Sequence, residues 1–260
     1  MNRIDFSKSE QYTLSIRLSA DGFSFSVHSS TGKENFFHAP HPVNTSISLT
    51  ANIKEMIGSA EILKHTYKQI NILIDTPRFT PIPFELFEDE HTEDIFYHNF
   101  PKNNHETVLC NILGKSNVAL LFGMDKYAHQ LLNENFPQAR IFTCISPLTE
   151  YFAQQSREAQ CRQLFVHFRK STMEVFAFDK GKLLLINTFS CQQTSDQVYF
   201  ILYTWQQLGF NQEKDQLGLA GNLPMEEELV TELNKFLRQV NILPSQEPLP
   251  FDIQTLMICE

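Results

Sequence analysis

Positive charge is scarce in this chain: 21 Lys and Arg stand against 30 Asp and Glu, a net charge of −9. General binding to nucleic acid draws on Lys and Arg to displace counterions from phosphates, so that class is set aside. Cysteine is sparse and odd in number, with Cys110, Cys144, Cys161, Cys191 and Cys259 widely scattered. No CxxC and no Cys/His ligand spacing occurs, which leaves buried free thiols in a reducing compartment. No run of about 18 apolar residues is present, so no membrane insertion is expected. The opening residues MNRIDFSKSEQYT lack the apolar stretch of a signal peptide. The expectation is a cytoplasmic protein. Hydrolase signatures are missing as well: there is no GxSxG, no HExxH and no Cys beside a His. Trp occurs once but Phe 23 times. Many of the Phe fall at alternating strand positions, which reads as core filling rather than an aromatic ligand platform.

What is present is a pattern that occurs twice. In 163–222 three short apolar runs, QLFVHFR, MEVFAFD and KLLLINTF, are divided by Lys170-Ser171-Thr172 and by Asp179-Lys180-Gly181. A helical run (SDQVYFILYTWQQLGF) follows, then a short strand over 216–220, then Gly221-Asn222. In the first half, Tyr12, Leu14, Ile16 and Leu18 alternate with polar residues as a half-buried strand does. Asp21-Gly22 makes a turn, Phe23, Phe25 and Val27 continue the alternation, and Thr31-Gly32-Lys33 makes another turn before a third strand over 34–38. A helix is expected from about Ser48 to Lys68, and Asn71–Ile74 returns as a buried strand. Both halves read strand, strand, strand, helix, strand.

Other segments stand outside this order. IDTPRFTPIPFELF carries Pro77, Pro81 and Pro83. Proline cannot donate to a ladder, so a rigid extended loop is expected there. It runs into an acidic stretch with Glu85, Glu88, Asp89, Glu90, Glu93, Asp94, His91 and His98. Carboxylates with histidines can hold metal. Without compact ligand spacing, though, a solvated acidic helix face is the reading, and no metal site is assigned. Thr107–Leu113, Asn117–Phe122 and Arg140–Ile145 are strand candidates, with a helix over 125–133 and another from Ser146-Pro147 toward Arg157. PMEEELVTELNKFLRQV reads as an amphipathic helix reaching Arg238, and the proline-bearing tail ILPSQEPLPFDIQTLMICE as a surface segment.

Two ribonuclease H-like units in tandem resemble the actin-like ATPase fold. The expected class is α/β, with mixed sheets and crossover helices. The first subdomain is expected over 1–147 with an inserted Pro-rich and acidic segment at 76–101, and the second over 148–260. The segment VALLFGMDKYAHQLLNENFPQARIFTCISPLTEYF (118–152) is similar to the strand–helix–strand–helix bridge of actin-like scaffold proteins from pilus-assembly and type II secretion machines. The run NILIDTPRFTPIPFELFEDE (71–90) resembles an uncharacterised bacterial family of unknown function assigned to the same fold.

The resemblance implies three phosphate and nucleotide elements: two Gly-rich hairpins, an Asp near each first strand, and a Gly-rich turn after the last strand of the second lobe. Here the first hairpin keeps Ser19-Ala20-Asp21-Gly22, with its Asp inside the turn. In the second, the family's Asp and Gly positions fall near His167 and Arg169. Leu219-Ala220-Gly221-Asn222 matches the third. No catalytic residue is assigned. Asp21, Gly22, Asp75, Lys170, Ser171, Thr172, Gly221 and Asn222 are the candidates for a cleft or nucleotide site. The alternatives are plain: Asp75 caps its own turn before Thr76-Pro77, and Lys170-Ser171-Thr172 is a polar hairpin turn.

The functional expectation is a non-catalytic scaffold that binds a protein partner, or itself as a homodimer, and needs no cofactor. ATP with Mg²⁺, bound with weak hydrolysis or none, is the alternative. A ribonuclease H-type nuclease fails, because neither meander has an Asp or Glu in its first strand to hold two metal ions.

Overall fold

The computed structural model describes residues 4–20, 22–29, 32–223, 225–245 and 249–259. The chain divides into two units. The first comprises Met1–Ile112 and Ala119–Ser146, and the second Leu113–Val118 and Pro147–Glu260.

In the first unit β1 (Tyr12–Ser19), β2 (Gly22–Ser29) and β3 (Gly32–His41) form the expected meander. Helix α1 (Leu49–Ser59) crosses over to β4 (Gln69–Ile74), which lies parallel to β1 with Leu18 opposite Ile74. Ser48 caps α1 by accepting from the Ala51 N–H. The helix is shorter than its pattern suggests, since the apolar spacing past Ser59 falls on a separate 3-10 turn, Glu61–Lys64. Both faces of β1 and β2 are largely buried, with Leu14, Ile16 and Val27 fully enclosed.

The proline-rich stretch departs from expectation. Phe79–Pro83 is a strand, β5, where a loop was expected. It is an outer strand of a three-stranded sheet ordered β5-β7-β6, with β6 (Glu106–Leu113) and β7 (Val118–Asp125). An edge strand has one side free of ladder bonds, and this is where a chain tolerates Pro81 and Pro83. Helix α2 (Thr92–Asn99) buries Phe96 against Ile82, Ala119 and Leu121 of this sheet. Arg78 fixes the entry to β5: Nε and an Nη each donate to the Glu106 carboxylate at 2.8 Å, with the guanidinium over the Phe100 ring.

Gly123 makes room for that carboxylate, because a Cβ there would lie 2.2 Å from Glu106 Oε1 and 3.0 Å from Phe96 Cζ. Gly123→Ala is therefore expected to cost about 1–3 kcal/mol by overpacking, read as a lower urea midpoint with an unchanged m-value.

Helix α3 (Lys126–Asn135), capped by Asp125 Oδ1 on two backbone N–H groups, leads to β8 (Arg140–Thr143). The first sheet is then complete in the order β3-β2-β1-β4-β8.

Helix α4 (Ile145–Glu158) enters the second unit, which repeats the plan. Strands β9 (Gln163–Phe168), β10 (Thr172–Asp179) and β11 (Lys182–Ser190), helix α5 (Thr194–Gln207) and β12 (Gln216–Gly221) follow in the same order. A short β13 (Val240–Ile242) joins parallel to β12, and the order β11-β10-β9-β12-β13 mirrors that of the first sheet. One face packs Leu164, Val166, Met173, Val175, Leu217 and Leu219 against α5 and α6 (Glu226–Leu233). The alternation then sends Phe165, His167, Glu174 and Phe176 to the opposite face.

Two expectations fail here. Helix α6 ends at Leu233, and Arg238 pairs instead with Glu213 at 2.8 Å. The tail is also no surface segment: α7 (Phe251–Cys259) is buried from Phe251 to Leu256. Its polar residues Asp252, Gln254 and Thr255 are enclosed along with the apolar ones, and the Gln254 amide donates to the Leu249 carbonyl at 2.7 Å. Phe251 meets the rings of Tyr151 and Phe152, and Thr255 Oγ1 donates to the Asp252 carbonyl.

Among the described residues no helix is long and apolar enough to cross a membrane. Cys110 and Cys161 are half-buried, and Cys144 and Cys191 buried, with no disulfide among these four.

Candidate functional site

The residues singled out in the sequence collect at one strand end in each unit. In the first unit, Asp75 follows β4, and its N–H donates to the Leu18 carbonyl at 2.9 Å. Asp75 Oδ2 accepts from Ser19 Oγ at 2.9 Å and from Arg17 Nη2 at 3.1 Å, both on the neighbouring β1. Gly22 stands across the hairpin from Ser19 as the first residue of β2. Asp21 lies outside the described residues. A guanidinium and a hydroxyl thus hold the carboxylate of this cleft candidate. Among the described residues no group of three or more His, Cys, Asp or Glu is placed to bind one.

In the second unit the β9–β10 hairpin and the end of β12 come together. Gly221 lies opposite Phe168, and the Asn222 N–H donates to the Phe168 carbonyl at 3.0 Å. Lys170 and Ser171 are exposed at the hairpin tip and Thr172 is half-buried. The turn closes through the Arg169 N–H on the Thr172 carbonyl, 2.9 Å. This tip is a polar turn, as its residue types suggest. Gly221 has φ +87, and a Cβ on it would lie 2.4 Å from the Phe168 carbonyl oxygen and 2.8 Å from the His167 ring. Only glycine fits, and its space is set by the Phe168 carbonyl and the His167 ring.

Behind the tip lies an ionic cluster that the sequence reading did not assemble. His167 and Glu174 are cross-strand partners, and His167 Nδ1 lies 2.7 Å from Glu174 Oε2. Arg169 Nε donates to Glu174 Oε1, and Arg169 Nη1 to Asp252 Oδ2 of α7 at 3.3 Å. The Phe251 ring stacks on His167 at 5.9 Å. Glu174 is 3% exposed and Asp252 1%. Burial alone raises the Glu174 carboxyl, but the Arg169 charge and the His167 and Arg169 hydrogen bonds outweigh it and hold the group below its ordinary range. The cluster is thus one guanidinium between two carboxylates, closed from outside by the C-terminal helix.

A signal for half of this cluster exists in the sequence. A turn centred on Lys170-Ser171 puts His167 opposite Glu174 by counting back along both strands. Nothing local announces Asp252, which comes from 83 residues away from Arg169.

Comparison with known proteins places the chain. Residues 1–240 match a family described as protein of unknown function. A crystal structure from Bacteroides thetaiotaomicron VPI-5482, of a protein with actin-like ATPase fold and unknown function, is 46% identical. The match covers 99% of each chain with a TM-score of 0.90. A chain from the PilM–PilN type IV pilus biogenesis complex superposes with a TM-score of 0.56 at 10% identity, over 89% of this chain and 88% of that one. No curated protein matches in sequence. The fold is the actin-like ATPase fold, as the duplicated order of elements suggested.

Proposed function

The chain belongs to the DUF3822 family, and on that premise we propose that it is a non-catalytic actin-like protein that works in the cytoplasm by binding another protein. The observation that carries the reading is Arg169 clasped between Glu174 and Asp252. A phosphate-holding hairpin offers backbone N–H groups and a cation to solvent. Here the cation points inward, and a phosphate approaching it meets two buried carboxylates. Pulling Arg169 away would leave those carboxylates unpaired at a cost of about 3–5 kcal/mol, which few ligand contacts offset. Arg17 on Asp75 supports the same reading in the first unit.

The surface that fits a partner is the turn after β5. Phe84 and Leu86 are 45% and 69% exposed on a 3-10 turn. Six acidic residues, Glu85 to Asp94, lie in or just after that turn, and no Lys or Arg occurs between Arg78 and Lys102. Large apolar side chains inside an anionic rim suit a basic segment bearing apolar anchors. The pilus complex offers a precedent for this fold within a protein assembly, and the precedent is an analogy of fold.

Calorimetry with ATP and Mg²⁺ is expected to give no binding in the micromolar range; micromolar affinity would turn the assignment to the nucleotide reading. Affinity capture from native lysate with the wild type and with Phe84→Ser/Leu86→Ser is expected to retain a basic protein on the wild type alone. Identical captures would remove this surface from the proposal.

A further inference from the structure

We propose that the exposed face of α5 is the contact by which two copies of this chain form a two-fold dimer. The inference rests on a different surface from the acidic turn and does not depend on the partner assigned there.

Helix α5 buries Ile201, Thr204 and Trp205 in the core of the second unit. Its opposite face shows Ser195, Asp196, Tyr199, Tyr203, Gln206 and Gln207 to solvent. Tyr199 and Tyr203 are 60% and 47% exposed, and their rings stack on each other at 5.9 Å and 17°. One turn apart on a helix, they make a rigid aromatic ridge. Tyrosines of this kind lose little side-chain freedom on contact and are enriched at the energetic centres of interfaces. The whole helix, TSDQVYFILYTWQQ, holds a single charged residue, Asp196.

The occupant follows from charge. A two-fold contact sets a patch against its own copy, so any patch with a net charge opposes the pairing. Two bodies of charge −9 repel, and the repulsion is least where the contact surface itself carries little charge. The acidic turn with Phe84 and Leu86 sets six carboxylates against six, whereas the α5 face brings only one Asp196 from each copy.

The order of residues on the face is also self-complementary. In an antiparallel crossing centred at the level of Ile201, Tyr199 of one copy stands opposite Tyr203 of the other. The same operation sets Asp196 against Gln206 and Ser195 against Gln207. Each carboxylate or hydroxyl then meets an amide donor, and the two Asp196 lie at opposite ends of the contact. A fourteen-residue helix is about 21 Å long at 1.5 Å per residue. Packed on its twin, it gives a small contact, at or below the ~1,200 Å² low end of specific interfaces, where weak and transient associations lie.

Sedimentation velocity on the full chain, across the micromolar range, tests this. The wild type is expected to pass from monomer to dimer with concentration, and added salt should hold or tighten the dimer by screening the repulsion. Tyr199→Glu/Tyr203→Glu is expected to weaken it at least a hundredfold, with an unchanged thermal midpoint because both side chains are exposed. Mixing that variant with Tyr199→Lys/Tyr203→Lys is expected to restore a dimer. A wild type monomeric at every concentration, a dimer that survives the double Glu substitution, or one that weakens steeply with salt would overturn the proposal.

Discussion

Glu174→Gln is expected to destabilise the second unit by about 3–5 kcal/mol at neutral pH, the range for removing one partner of a buried ion pair. The side chain keeps its size, so no cavity contributes. What is lost is the negative charge that Arg169 faces at one end, together with the acceptor for His167. The same pair sets the direction of a pH effect. The folded Glu174 carboxyl is held below its ordinary value of 4.5. Stability from such a group is fully present above the unfolded value and is lost as pH falls through the folded one. The gap between wild type and variant should therefore be constant near neutrality and shrink below about pH 4.5. Urea unfolding at stepped pH measures it. A neutral-pH gap under about 1 kcal/mol, the value of an ordinary hydrogen bond, would show that the clasp is not an isolated buried charge set. Replacing Arg169, Glu174 and Asp252 together with apolar residues of similar volume is expected to cost far less than the single change.

The second large effect belongs to Gly221→Ala. Two penalties combine. A residue other than glycine at φ +87 carries backbone strain of about 1–2 kcal/mol. The new methyl would also press on the Phe168 carbonyl and the His167 ring, an overpacking of about 1–3 kcal/mol. Gly209 separates the two, since it has φ +63 and nothing within 4 Å of an added Cβ. Gly209→Ala should show the backbone part alone, about 1–2 kcal/mol. Equal losses at the two positions would mean that the Phe168 carbonyl and the His167 ring both move aside freely and that the packing at the strand end is loose.

The duplicated plan was readable because it depends on local signals. Alternation in Tyr12–Ser19, turn residues such as Asp179-Lys180-Gly181, and the helical spacing of 194–207 each act within a few positions, and the order of elements carries the rest. Signals of another kind misled. Pro81 and Pro83 argue against a strand wherever both sides must be paired, and only the sheet order reveals that β5 has a free side. The tail reads as a proline-bearing surface segment until α7 is seen to be enclosed, with Asp252, Gln254 and Thr255 buried beside its apolar residues. Of the candidate residues, Lys170, Ser171, Thr172, Gly221 and Asn222 do gather at one strand end. Asp75 was correctly placed at the close of β4, yet its partner Arg17 sits 58 residues earlier. The Arg169 clasp was legible only as a missing glycine, because charge pairing across strands and onto a distant helix is a tertiary relation.

The prolines of β5 have a consequence for solubility. A sheet grows into an aggregate when a foreign strand finds a row of backbone donors and acceptors at its rim. Residues 81 and 83 have no N–H to offer, so an intruding chain finds gaps in that row. In a protein with 23 phenylalanines and thirteen strands among its described residues, such blunting guards against cross-β assembly. The motif that looked like a break in the architecture acts as its rim guard.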